Sequence, residues 1–422
     1  MNAVNQSEQW VYDVCRQSFL SLWSYVNPQG RDPGKELCDI LVVCDPHVIV
    51  ISVKEVEYIA DEDTDVYFER WRRKAIDASL KQIKGAIRWL DTAKNVIQKD
   101  GEAGLPLPPM DRRVYHRIVV AFGGKNKVPV LAPSKAPDRQ PFHVLDEVSF
   151  DLVLQHLDTI TDFVDYLAAK EELLRRAGVL INGGEENLLA MYLHANRTFP
   201  VECDMLYVEG DMWEGFSGRP EYRAKLAEDE ISYLWDEVIE NYCKGEFKPP
   251  RWRGPEMSQA EKALRVMARE SRFERRVLSK AFREFLKRAR DGELRARRIQ
   301  STSGVGYVFF VYDIDSSLDE RSQELVRRCF AALCGLESCT TIIGMGGNVP
   351  GEKPRDGYSS DLVMLQRGSE PWPPEYLEQA RNCRDKLGYF KTPQINHMHA
   401  DEYPSLSDTV PEADTSDSQE QK

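Results

Sequence analysis

Long apolar runs are missing from this 422-residue chain. No stretch of 18 uncharged apolar residues occurs, and Met1 to Gln9 is polar rather than a basic segment leading into an apolar one. Neither a membrane span nor a secretory signal is therefore expected, and the chain reads as soluble and cytoplasmic. Its nine cysteines contain no CxxC pair, which argues against a zinc ribbon or thioredoxin-type redox site and for reduced, buried thiols. GxSxG, HExxH and Cys–His patterns are absent, so nothing points to hydrolases of those kinds. Gly344 to Asn348 lacks both GxGxxG spacing and GK[ST] and reads as a plain glycine-rich turn.

What is present is ample apolar content, 42%, with 30% charged residues and a formal net charge of -13. Two or three domains with real cores are expected. The acidity is uneven. Residues 399–422 carry a net of -6 among Pro, Ser and Thr, which predicts a disordered acidic tail. Residues 257–298 carry +8, so a partner cannot be read from the mean charge.

Periodicity predicts a first helix capped by Ser7 and running to about Gln17, then a strand within Phe19 to Val26 that ends in the turn Asn27-Pro28-Gln29-Gly30. The β-branched runs Leu37 to Cys44 and Val48 to Lys54 flank Asp45-Pro46 and predict an antiparallel hairpin. A long helix is expected over 69–98, with Ile76, Leu80, Ile83, Ile87 and Leu90 on one face. A strand follows at Arg117 to Phe122, another near Phe142 to Leu145, and helices near 149–157 and 159–176, with Gly178 as a stop. Helix 185–195, strand 205–209 and helix 223–242 occupy a connecting region. Beyond a long basic helix over 257–290, strands at 305–313, 340–345 and 361–365 alternate with helices 319–334 and 375–387. The expected division is residues 1–180, 181–256, 257–398 and the tail 399–422, all α/β in class.

Alternation along a strand places Asp39 on one face with Leu41 and Val43, and Ser52 and Lys54 with Val48 and Val50. The hairpin brings Asp39 and Lys54 to one sheet edge. Charged groups there need a partner or a metal; a plain strand-end ion pair is the simpler alternative. Glu8 on the first helix, Glu36 at the strand entry and Gln82 beside the apolar stripe complete the set. Glu8 also suits a helix N-terminus, and Gln82 a solvated helix surface.

These residues, in this order of elements, resemble the PD-(D/E)XK nuclease superfamily, with its restriction-endonuclease-like αβββαβ core. The resemblance covers about a third of the chain. It implies that Asp39 is a metal-binding acid, Lys54 the motif lysine, Glu8 the helix-1 carboxylate and Gln82 the helix glutamine. Ser52 departs from the pattern, standing where the second acid belongs; its hydroxyl is a weaker Mg²⁺ ligand than a carboxylate, and Glu36 or Glu8 would supply the missing oxygen. The implied activity is a Mg²⁺- or Mn²⁺-dependent DNA endonuclease in prokaryotic defence or DNA processing, in which Lys54 orients water or offsets developing charge. The alternative is a catalytically inactive nuclease-fold subunit that binds nucleic acid or a protein partner, a second copy of the chain included.

Within 257–290, Arg265, Arg269, Arg272, Arg276, Lys280, Arg283, Lys287 and Arg290 recur at spacings of three and four, which on one continuous helix confines them to an arc of roughly 80°. A stripe without interspersed acids suits nucleic-acid phosphate; an acidic protein surface, the chain's own tail or plain solvation remain open.

Overall fold

In the computed structural model the described residues are 5–57, 64–123, 140–199, 202–244, 255–313, 315–351, 360–368, 370–391 and 400–404. The chain is α/β with mixed sheets. It opens with α1 (Gln6–Phe19), β1 (Ser24–Val26), β2 (Ile40–Cys44) and β3 (His47–Glu55). There follow α2 (Thr64–Arg72), a one-turn π segment, α3 (Ala78–Leu90), the small antiparallel pair β4 (Asn95–Ile97) and β5 (Ala103–Pro106), then β6 (Val114–Phe122), β7 (His143–Leu145), α4 (Glu147–His156) and α5 (Ile160–Arg176).

The main sheet has the order β1-β2-β3-β6-β7. The first three strands form an antiparallel meander, while β6 and β7 run parallel to β3 and to each other. Helices cover both faces, which is why β2 and β3 read as nearly unbroken apolar runs. Val48, Val50, Leu41 and Val43 pack under Ile76, Ile83, Ile87 and Leu90. Ile49, Ile51, Ile40 and Val42 face Val11, Cys15, Phe150 and Phe163 on the other side. Each fully buried side chain of this size contributes about 1.5–3 kcal/mol.

The middle of the chain holds β8 (Gly178–Ile181), α6 (Glu185–His194), β9 (Met205–Val208), α7 (Met212–Ser217), α8 (Pro220–Asp229) and α9 (Tyr233–Lys244). The remainder is α10 (Pro255–Ala268), α11 (Arg272–Arg290), β10 (Ala296–Gln300), β11 (Val305–Tyr312), α12 (Leu318–Leu333), β12 (Thr341–Asn348), β13 (Ser360–Gln366) and α13 (Pro374–Leu387). A second sheet, β10-β11-β12-β13, is built on them. One apolar cluster runs from Val11 through Trp235 and Phe285 to Met345, so the three segments share a core. Among the described residues no helix is long and apolar enough to cross a membrane.

Several expectations need correction. Helix 69–98 starts earlier, is interrupted by the π turn Arg73–Asp77, and ends at Leu90, because 95–97 pairs with 103–106 across a turn in which Gly101 has φ 91°. The N-cap of α1 is Asn5, not Ser7; its side chain accepts from the amide of Glu8 at 2.7 Å. Gly178 opens a strand rather than only closing a helix. Helix 223–242 is divided by a 3-10 turn at Glu230–Ser232. Gly344 to Asn348 lies within β12, where a methyl on Gly344 would collide with the Cys329 thiol and one on Gly346 with the Tyr312 hydroxyl. These glycines permit close packing of strand, helix and aromatic ring.

The basic helix 257–290 is two helices. It breaks at Ser271, whose side chain caps α11 by accepting from the Glu274 amide at 3.2 Å. Of the acidic tail, residues 405–422 lie outside the described residues. Residues 401–404 dock on the protein: Arg197 binds the Glu402 carboxylate at 2.8 Å, and Arg276 donates to the Asp401 carbonyl at 2.6 Å.

Burial also sets an acid limit on the fold. His47 and His116 sit 3.0 Å apart, Nδ1 to Nε2. Desolvation is the main cause that lowers His47 to about 4 and His116 to about 3, with His156 at about 4 and His143 also lowered. Unfolded histidine takes a proton near 6.5, so the unfolded state gains protons first as pH falls. Stability is therefore fully present above about 6.5 and drains away toward the folded values, by roughly 1–2 kcal/mol for the buried His116 at pH 5 and by less for the more accessible His47 and His156. Urea midpoints at pH 7.5 and 5.0 should differ accordingly; equal midpoints would contradict neutral burial.

Candidate functional site

Asp39 immediately precedes β2, and its side chain reaches across to β3. One carboxylate oxygen accepts from the Val53 amide at 2.5 Å and lies 3.8 Å from the Lys54 ammonium. The other accepts from Gln82 Nε2 at 3.0 Å. Gln82 in turn accepts from the Ser52 hydroxyl at 2.9 Å. The hairpin register places Ile40 opposite Ile51, which is what brings Asp39 level with Ser52 and Val53. Asp39 and Ser52 are buried, whereas the Lys54 side chain is 32% exposed and faces solvent at the strand end.

Glu36 approaches from the segment before β2. Its carboxyl is raised to about 8, first by desolvation and then by its hydrogen bond to Asp39 and the charges of Asp39 and Glu8, with Lys54 pulling the other way. The residue is solvent-exposed as a whole. Two carboxyl groups in contact repel when both are ionised, which favours the neutral form of Glu36. Glu8 completes the capping box of α1, with Asn5 Nδ2 donating to its carboxylate at 2.7 Å, while its charge still reaches Glu36.

Asp39, Ser52, Lys54, Gln82 and Glu36 are thus brought together, with Glu8 at the margin. Among the described residues no three Asp, Glu, His or Cys side chains form a ready-made metal cage. Mg²⁺ commonly keeps several waters and uses one or two carboxylates plus substrate phosphate, so the Glu36–Asp39 pair matches its chemistry. On the opposite face of the same strand end lies a groove of about 560 Å³, lined by Trp10, Glu55, Phe122, Glu147 and Asp151. The Ser7 hydroxyl donates to Glu55 there at 2.7 Å.

The basic stripe is a surface stripe only in part: Arg269 and the C-terminal cations of α11 are exposed, the others are not. Arg272 is buried and held by Asp158 and Asp236, each at 2.8 Å, beneath the Tyr233 ring. Arg276 is buried against Asp229 at 3.2 Å. Arg265 pairs with Asp45 and Glu261 at 3.2 and 3.4 Å, and Lys280 with Glu228. Arg269 ends the first basic segment, at the break before α11, and its backbone carbonyl accepts from Thr161 at 2.6 Å. Arg283, Lys287 and Arg290 remain exposed on α11, the last beside Asp291 at 3.3 Å. The counterions Asp158, Asp229 and Asp236 of the buried arginines are distant in sequence, so helical spacing alone does not reveal them. The one available signal was an acid at a core-facing helical position, as Asp236 is between Trp235 and Ile239.

No family model, curated protein or solved structure matches this chain.

Proposed function

We propose that the N-terminal unit is a PD-(D/E)XK-type centre that hydrolyses DNA phosphodiesters with Mg²⁺ or Mn²⁺, in prokaryotic defence or DNA processing. The observation that carries this reading is the meeting of Asp39, Lys54 and Gln82, from the entry to β2, the end of β3 and α3, at one strand end. Its helix-strand-strand-strand-helix-strand order, with the small β4–β5 pair inserted before the last strand, supports it. Asp39 and Glu36 would hold the cation. Bound there, a divalent ion lowers the pKa of an attacking water and stabilises a phosphorane-like charge. Lys54, half in solvent, is placed to orient that water or meet phosphate oxygen. Gln82 has both ends of its amide engaged, so it fixes the Asp39 carboxylate and reaches a water only by releasing Ser52.

The interlocked Ser52–Gln82–Asp39 chain also favours a second reading. A hydroxyl replaces an acid and satisfies the glutamine instead of a metal, as in a nuclease-fold subunit that binds without cutting. Plasmid and linear DNA incubated with Mg²⁺ or Mn²⁺ separate the two. Cleavage that EDTA stops and Asp39→Asn removes is expected; salt-sensitive binding without any cleavage would establish the second reading.

A further inference from the structure

Four of the eight residues of the expected stripe, Arg265, Arg272, Arg276 and Lys280, are paired with the protein's own acids, and cations nearer the site lie elsewhere. Helix α3, which supplies Gln82, turns its core face to the sheet through Ser79, Ile83, Ala86, Ile87 and Leu90. Its outer surface carries exposed Lys81, Lys84 and Arg88. None of these three forms an ion pair with a carboxylate among the described residues, in contrast to Arg265, Arg272, Arg276 and Lys280. In their midst is Gly85, in the helix interior, where glycine is less stable than alanine. Nothing lies within 4 Å of the place its Cβ would occupy, so packing does not require the glycine.

Helical neighbours sit three and four residues apart. Gly85 is therefore framed by Lys81 and Gln82 on one side and by Arg88 and Trp89 on the other: a side-chain-free notch between two cations, three residues along the helix from Gln82, whose amide holds Asp39. Such notches let a ligand approach the backbone closely.

We propose that this notch seats a backbone phosphate of double-stranded DNA, next to the phosphate that would react at Asp39. This rests on the nuclease-centre reading for the identity of the ligand, while the notch itself is tested by binding alone. Lys81 and Arg88 contact the phosphate oxygens and Gly85 admits the strand; Lys84 adds charge at the rim.

The test uses full-length protein, a fluorescent DNA duplex and anisotropy in EDTA. Gly85→Leu should raise the melting temperature, because leucine is the better helix former, yet weaken binding about tenfold, a loss of one charge-assisted contact. Gly85→Ala should raise the melting temperature and leave binding within about twofold. Lys81→Gln with Arg88→Gln should reduce the slope of log affinity against log salt by about two. Gly85→Leu binding as the wild type does would overturn the proposal, as would an unchanged salt slope in the double variant or absence of duplex binding by the wild type at low salt. Full competition by inorganic phosphate at constant ionic strength would assign the notch to free phosphate and equally overturn it. If Gly85→Leu binds normally while Asp39→Asn abolishes cleavage, only the notch is wrong. If Gly85→Leu loses binding and the wild type never cleaves, the notch stands and the nuclease reading falls.

Discussion

Lys54→Met is expected to lower divalent-dependent DNA cleavage about 10²–10³-fold, the loss typical of removing one charge-stabilising group from a reaction centre. The melting temperature should hardly move. The Lys54 ammonium stands 3.8 Å from Asp39 but is 32% exposed, and an ion pair open to water on one side contributes little to folding. The Asp39 carboxylate keeps its Val53 amide and Gln82 donors. Asp39→Ala is a less clean experiment, because it strands a buried amide and a side-chain amide, at about 1–3 kcal/mol for each unsatisfied group. Lost cleavage in that variant mixes chemistry with folding. Lys54→Met separates them: a well-folded variant that still cuts DNA at the wild-type rate would remove Lys54 from the reaction and, with it, the reason to read this strand end as a nuclease centre.

The parts of the site that could be read in advance are those fixed by short-range rules. The Asp45-Pro46 turn, two β-branched runs and strict alternation put Asp39, Ser52 and Lys54 on the α3 side, where they lie with Val48 and Val50. The apolar stripe of α3 placed Gln82 at the shoulder of its helix. Short-range rules do not extend to Asp39 bonding to the Val53 amide, since that depends on the offset between two strands, nor to the upward push on the Glu36 carboxyl, which depends on desolvation and its contact with Asp39. The charged edge strand β10, Ala-Arg-Arg-Ile-Gln, shows no alternation of apolar residues and so carries no strand signal in sequence. The largest misreading, one cationic face over 257–290, came from extending a helical period through Ser271. The serine and the glutamate three residues on mark a helix start, and beyond it Arg272 and Arg276 turn inward to Asp158 of the α4–α5 connection and Asp229 at the end of α8.

Asp236→Ala should destabilise the fold by about 3–5 kcal/mol, the usual penalty for leaving a buried cation without its partner. One oxygen of Asp236 receives Arg272 at 2.8 Å and the other receives Arg275 at 2.5 Å, and both arginines are buried. Removing the carboxylate leaves two guanidinium groups with Asp158 as the remaining nearby anion on Arg272, and carbonyls alone on Arg275. The measurement is a urea midpoint, with Asp236→Asn expected between alanine and wild type because its amide oxygen still accepts. Arg283→Gln and Lys287→Gln on the exposed face of the same helix should stay within about 0.5 kcal/mol. A small effect of Asp236→Ala would mean that the arginines find water or another acid, and would return them to the pool of cations able to meet an external phosphate. A large one fixes Arg272 and Arg275 as internal counterions. Those two cations then belong to folding, and a phosphate contact must come from cations without acids beside them, the three of α3 and the exposed Arg283 and Lys287 of α11.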